Sequence, residues 1–244
     1  MENLSKSFPE KSHEELKAIS RKFYKNFCDA ILEVFKSLSI RKETAAKRFK
    51  LVNPSLLDDL HAEGKSAFLF AGHMLGWEWF NLVQYFIQPQ CVGIYKRHSS
   101  AYFNGLNKLV RSSHGAINIE MKETLRKIIE LKNTKKSILV LSIGDQRPFK
   151  VLPDTPWLTF LNQDTPFISG TERIAQKLKM ELIFPYVKKI KRGYYEVEFQ
   201  TIGDDLKDPS AEDLIKGYAK KLEQNIQAEP SLWLWTHKRW KHKR

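Results

Sequence analysis

Phe68-Leu69-Phe70-Ala71-Gly72-His73-Met74-Leu75-Gly76-Trp77-Glu78-Trp79-Phe80 reads as a strand, a tight turn and the start of a helix. Residues 67–71 form an apolar run with the length and aromatic content of a buried strand. Gly72 breaks the run, His73 follows at once, and Gly76 permits a second tight turn before the pattern becomes helical at Trp77. The strongly polar side chains of the stretch are His73 and Glu78. In one continuous helix, five residues at about 100° each would turn these two about 140° apart. They meet only if His73 lies in the turn and Glu78 opens the helix. A strand-to-helix turn at the carboxyl end of a sheet is where open α/β folds place their chemistry.

A neutral imidazole takes a proton from a hydroxyl, and a carboxylate on its other nitrogen fixes the tautomer and stabilises the imidazolium. His73 and Glu78 would then be two-thirds of a serine triad without a nucleophile of the enzyme's own, so a substrate hydroxyl would attack. The same spacing also fits a buried histidine capped by a carboxylate for structural reasons.

Outward from this centre the chain alternates strand and helix patterns. Ser12-His13-Glu14-Glu15 is a capping-box pattern, and Leu16, Ile19, Phe23, Phe27, Ile31, Val34 and Leu38 recur at three and four, predicting a long amphipathic helix. That stripe suits core packing, or a membrane-lying face with Arg21, Lys22 and Lys25 on the other side. Residues 54–62 read as a short helix entered at proline. Strands are predicted over 90–95, 116–119, 137–143, 181–187 and 194–202, and helices over 102–111, 122–131, 170–178 and 211–228. Pro148, Pro153 and Pro156 predict a long irregular stretch over 144–163, of the kind that binds ligands or forms lids. No repeat and no composition shift marks a boundary, so one α/β domain over 1–244 is expected. Its sheet would be mixed and largely parallel, flanked by helices, with a helical segment at 1–40.

The balance of 41 Lys+Arg against 28 Asp+Glu leaves a net charge of +13, which argues for an anionic partner: nucleic acid, membrane surface, phosphorylated substrate or acidic protein. Residues 237–244 interleave five Lys/Arg with Trp240 after Trp233 and Trp235. That is the composition of a membrane-interface segment, and also of a single-strand nucleic-acid patch. A basic nucleic-acid binder without catalysis would explain the charge and the aromatics. Cys28 and Cys91 sit in apolar segments and are expected to be reduced, buried thiols of a cytoplasmic protein. The start of the chain is polar, without a secretory signal, and no stretch reaches the roughly 18 apolar residues of a spanning helix. G-x-S-x-G, G-x-G-x-x-G, Walker and H-E-x-x-H patterns are absent, and the seven histidines are scattered, so no metal is expected.

Further candidates lie along the chain. Arg111 ends the helix predicted over 102–111, where a guanidinium could clamp a phosphate or simply favour the helix dipole. Asp145 and Gln146 directly follow a buried strand, the usual place for residues lining a cleft, and Arg147 is next to them. Asn162 to Thr165 suit a turn better than a ligand site, and Glu172 with Arg173 reads as a solvated helix pair.

Four blocks follow in order: His73-x4-Glu78; Arg111-Ser112-Ser113-His114-Gly115; Gly144-Asp145-Gln146 with Phe160-Leu161-Asn162-Gln163-Asp164-Thr165-Pro166; and Trp233-Leu234-Trp235-Thr236-His237-Lys238-Arg239-Trp240-Lys241. Together they resemble the lipid A biosynthesis (lauroyl or myristoyl) acyltransferases of the lysophospholipid acyltransferase superfamily, from about Asn3 to Lys241. The resemblance implies His73 as general base oriented by Glu78, substrate contacts from Arg111, Asp145, Gln146, His237 and Arg239, and a C-terminal segment that meets the membrane interface and packs in part by the active site. It implies no cofactor. The acyl donor would be acyl carrier protein, an acidic partner. The acceptor would be a phosphorylated glucosamine-disaccharide lipid bearing a 3-hydroxyacyl chain, met at the cytoplasmic face of the inner membrane on an anionic surface. Nucleic acid would not be a partner. A relative acting on another lipid or a pigment precursor would use the same pair. Family members carry an N-terminal membrane-spanning anchor ahead of a segment like Glu2 to Pro9, where this sequence begins, so a peripheral form is expected.

Overall fold

The computed structural model describes residues 1–95, 114–134 and 136–244. A seven-stranded sheet forms its centre, with strands β1 (Phe49–Leu51), β2 (Ala67–Ala71), β3 (Gln90–Tyr95), β4 (Ile117–Glu120), β5 (Ile138–Ile143), β8 (Glu181–Lys191) and β9 (Tyr194–Thr201). Their order is β1-β9-β8-β2-β5-β3-β4. Every neighbouring pair is parallel except the β8–β9 hairpin, so the mixed, largely parallel sheet is as expected. All five residues of β2 are buried because it is paired on both edges, to β5 and to β8, and covered on both faces.

Helices flank the sheet: α1 (Glu2–Ser7), α2 (His13–Ser37), α3 (Lys42–Arg48), α4 (Ser55–Ala62), α5 (Thr124–Asn133), α6 (Thr171–Leu178) and α7 (Ala211–Ala228). The capping box opens α2 as expected, with Ser12 Oγ accepting from Glu15 N–H and the Glu15 carboxylate accepting from Ser12 N–H. α6 and α7 pack on each other and against β8, while α2 runs along the segment that follows β2.

Several expectations need correction. The segment Trp77–Tyr85 is a 3₁₀ helix rather than an α-helix. At three residues per turn Trp79 stands over Leu82 and Phe80 over Val83, and all four are buried. The stretch expected to be irregular contains a second small sheet, β6 (Trp157–Phe160) paired antiparallel to β7 (Gln163–Pro166). Its two-residue turn puts Leu161 at φ 50 and Asn162 at φ 61, the left-handed pair that matches the twist of a hairpin. Cys28 is exposed on the outer side of α2, and only Cys91 is a buried thiol. Glu172 is buried rather than solvated, accepting from Ser169 Oγ and Gly170 N–H at the start of α6. The helix predicted over 102–111, and Arg111 with it, lie outside the described residues.

β2 and β5 run side by side in register, Ala71 opposite Ile143, and each leaves the sheet through a glycine, Gly72 and Gly144. A Cβ on Gly144 would come within 2.3 Å of the Phe70 ring, which is itself stacked on Tyr218 at 3.8 Å between centroids and has nowhere to retreat. Gly144→Ala is therefore expected to cost about 1–3 kcal/mol through overpacking, read as a lower urea midpoint. An unchanged midpoint would show that the Phe70–Tyr218 stack can give way.

Candidate active site

The two glycines are each followed by a titratable side chain. His73 lies two residues beyond the end of β2 and Asp145 two beyond the end of β5, so strand pairing brings together residues 72 apart in sequence. Asp145 holds the histidine twice. His73 Nδ1–H donates to Oδ1 at 2.5 Å, and the His73 backbone N–H donates to Oδ2 at 2.7 Å. A third donor, Trp233 Nε1–H, reaches Oδ2 at 2.7 Å. Asp145 is 2% exposed, whereas the His73 side chain keeps 18% of its surface open.

These partners assign the tautomer. With Nδ1 donating to a carboxylate, Nε2 carries the lone pair, and the Gln146 amide donates to it at 3.3 Å. Burial works to lower the His73 pKa, but the Asp145 charge and hydrogen bond, with the Glu78 charge, outweigh it and raise the pKa above its ordinary 6.5. Burial works the other way on Asp145, and is outweighed by the His73 charge, the two His73 hydrogen bonds and the Trp233 indole, so its pKa falls below 3.8.

The orienting carboxylate expected from Glu78 is thus supplied by Asp145. Glu78 accepts from Trp77 Nε1–H at 2.8 Å and from Asn81 at 3.4 Å, which the 3₁₀ turn places directly above it. Its charge still reaches His73, and the Trp77 ring lies edge-on to the imidazole at 5.4 Å. Gly76, at φ 102, makes the turn between them in a conformation that side chains rarely adopt.

The C-terminal segment straps this turn. Leu75 N–H donates to Leu232 O, Leu234 N–H donates to His73 O, and Met74 pairs with Trp233. Three indoles of the segment are spent inside the protein: Trp233 on Asp145, Trp235 on Pro230 O and Trp240 on Thr165 Oγ1. Trp233 and Trp235 are buried and so not offered to headgroups, while Trp240 is half-buried; the packing of part of this segment by the active site is as the resemblance implies. Asn3 ties α1 to the strap by donating to Trp235 O and His237 O.

Of the residues expected to touch substrate, Gln146 and His237 are half-buried beside His73. Burial lowers the His237 pKa, and the nearby charges of Asp145, Arg239, His73 and Arg147 all act on it. Asp145 and Arg239 are corrected: both are buried, Asp145 bonded to His73 and Arg239 to Pro166 O, so neither is offered to a substrate. Sequence reading missed Trp233 as a holder of Asp145. It was legible only as part of the C-terminal block, which the resemblance places in part by the active site without singling out this ring.

A partly open histidine with one unprotonated nitrogen and a buried carboxylate on the other is a general-base arrangement. The family model for bacterial lipid A biosynthesis acyltransferases matches residues 1–242. The chain belongs to that family. No curated protein matches the chain significantly. As a lipid A acyltransferase family member it carries out acyl transfer, a reaction in which an acceptor must lose a proton as it attacks. Among the described residues no helix of this acyltransferase is long and apolar enough to cross a membrane.

Proposed function

We propose that the protein moves a fatty acyl chain from the thioester of acyl carrier protein to a hydroxyl of a phosphorylated lipid A precursor, with His73 as general base. The observation that carries this reading is the lone pair on His73 Nε2, on a partly open side chain backed by the buried Asp145 carboxylate. The acceptor hydroxyl gives its proton to Nε2 as its oxygen attacks the thioester carbonyl. The tetrahedral oxyanion then collapses and expels the thiolate, which takes the proton back from the imidazolium as the thiol. Asp145 stabilises the imidazolium in between, and Glu78 adds a second negative charge nearby. The Gln146 amide, already beside the reacting nitrogen, is placed to donate toward the oxyanion.

The donor and acceptor follow from charge and family. A surface at +13 steers an acidic carrier protein, and Arg111, by its family position, would clamp an acceptor phosphate. Contact with an anionic membrane surface is supported by the net charge of +13, and its cytoplasmic face is what the family resemblance implies.

The deciding assay measures acyl transfer from acyl carrier protein and from acyl-coenzyme A to acceptors with and without phosphate. Preference for the carrier protein and for the phosphorylated acceptor is expected. An enzyme that prefers the coenzyme A thioester and ignores acceptor phosphate would reject both assignments and leave only acyl transfer.

A further inference from the structure

Arg239 is 1% exposed, while Lys238 and Lys241 on either side of it reach solvent. Its guanidinium is poorly provided for. Nη2 donates to Pro166 O at 2.7 Å and the Phe167 ring lies 4.9 Å away, but Nε and Nη1 are buried with no hydrogen-bond partner among the described residues. A buried cation left with two unpaired donors is costly unless an opposite charge compensates it.

Asp145 has the complementary deficit. Its three partners are the His73 backbone N–H, the His73 Nδ1–H and the Trp233 indole. All three are neutral when His73 is in its base form, so the buried carboxylate has no counter-charge among the groups it touches. The two charges are joined through one aromatic cluster: Trp233 packs on Phe160 at 6.0 Å, Phe160 on Phe167 at 5.3 Å, and Arg239 lies over Phe167.

We infer that Arg239 is the counter-charge of Asp145, a positioning residue that keeps the carboxylate ionised and thereby keeps His73 in the tautomer whose Nε2 is free. Burial brings the Arg239 pKa down to about 10 while the Asp145 charge pulls it up, which leaves the guanidinium charged at neutral pH. Among the described residues, the other charged or titratable groups around the pair are Glu78 from the 3₁₀ helix, Arg147 from the loop after β5, Tyr218 from α7 and His237 from the strap. Of the cations among these, Arg239 is the fully buried one, so the low dielectric strengthens its hold on Asp145. Without it, His73 and Asp145 together would take up a proton more readily, because they titrate as a coupled pair. The catalytic consequence rests on the proposed role of His73 as base; the electrostatic pairing does not.

The test is a ¹⁵N NMR titration of the His73 imidazole, assigned by its loss in His73→Ala, in the parent, Arg239→Lys and Arg239→Met proteins. The apparent pKa is expected to rise by about half a unit or more in Arg239→Met and to return close to the parent in Arg239→Lys. A folded Arg239→Met protein that titrates like the parent overturns the inference. A double-mutant cycle with Asp145→Asn covers the case in which Arg239→Met is too unstable to titrate. Removing Asp145 leaves Arg239 uncompensated, so Arg239→Met is expected to lower the melting temperature much less in the Asp145→Asn background, or to raise it. Additive losses, or a double variant that also fails to fold, would show that Arg239 only fills space. Neither measurement uses acyl transfer, so a failure here leaves the proposed reaction standing, and the reverse.

Discussion

His73→Ala is expected to slow acyl transfer by roughly 10²- to 10⁴-fold, the range for losing a positioned general base. The fold should survive, since the imidazole is partly open and its neighbours are held by the strap and by β5. Activity within a few-fold of the parent in a protein with unchanged melting would remove His73 from the mechanism. The parent's pH profile provides a companion check. Only neutral His73 can accept a proton, and its pKa is raised above 6.5, so the rate should fall on acidification through a limb lying above 6.5. Stability runs the opposite way for this group. A folded-state pKa above the unfolded value gives stability that is complete below 6.5 and is lost as pH rises through the folded pKa. Seen from Asp145, whose pKa is lowered, the same pairing is present above 3.8 and lost as pH falls through the folded pKa. The two descriptions concern one interaction and are not summed.

Asp145→Asn should be almost as damaging as loss of the base. An asparagine offers Nδ1 either an oxygen or an N–H, and with the N–H facing it the imidazole is driven to the tautomer whose Nε2 is protonated and cannot act as base. In serine proteases the equivalent change costs about 10⁴-fold, and roughly 10³-fold or more is expected here on the same reasoning. Glu78→Gln removes a charge that reaches His73 without a hydrogen bond to it, so a much smaller loss, about tenfold or less, is expected. Measuring kcat for both variants, with melting curves to show that each is folded, ranks the two carboxylates. A Glu78→Gln enzyme more impaired than Asp145→Asn would return the orienting role to Glu78, as the sequence spacing suggests.

Much of the architecture was legible because local rules and tertiary packing agree. The apolar run at 67–71, the glycine after it and the histidine in the turn specify a buried strand with chemistry at its end, and the fold keeps all three. Ser12 and Glu15 opened α2 where the capping pattern placed it, and residues 211–228 form α7 with the expected bounds. Expectations failed where a residue's partner is distant in sequence. Asn162 to Thr165 read as a turn, but without the glycine that usually marks a two-residue hairpin the strands on either side stayed hidden. The tryptophans at 233, 235 and 240 have the composition of an interface segment, and only the structure shows their bonds to Asp145, Pro230 and Thr165.

The sequence by itself determined the α/β class, the strand that carries the histidine, the family and the histidine that we propose as base. Tertiary structure decided which carboxylate holds that imidazole. Glu78, five residues away, is the nearer in sequence, but the 3₁₀ turn gives it to Trp77 and Asn81. Asp145, 72 residues on, is brought to the imidazole because β5 pairs with β2 in register and both strands end at the same height. Spacing along a chain fixes where side chains lie on one element; the pairing of two strands is settled by burial across the whole sheet.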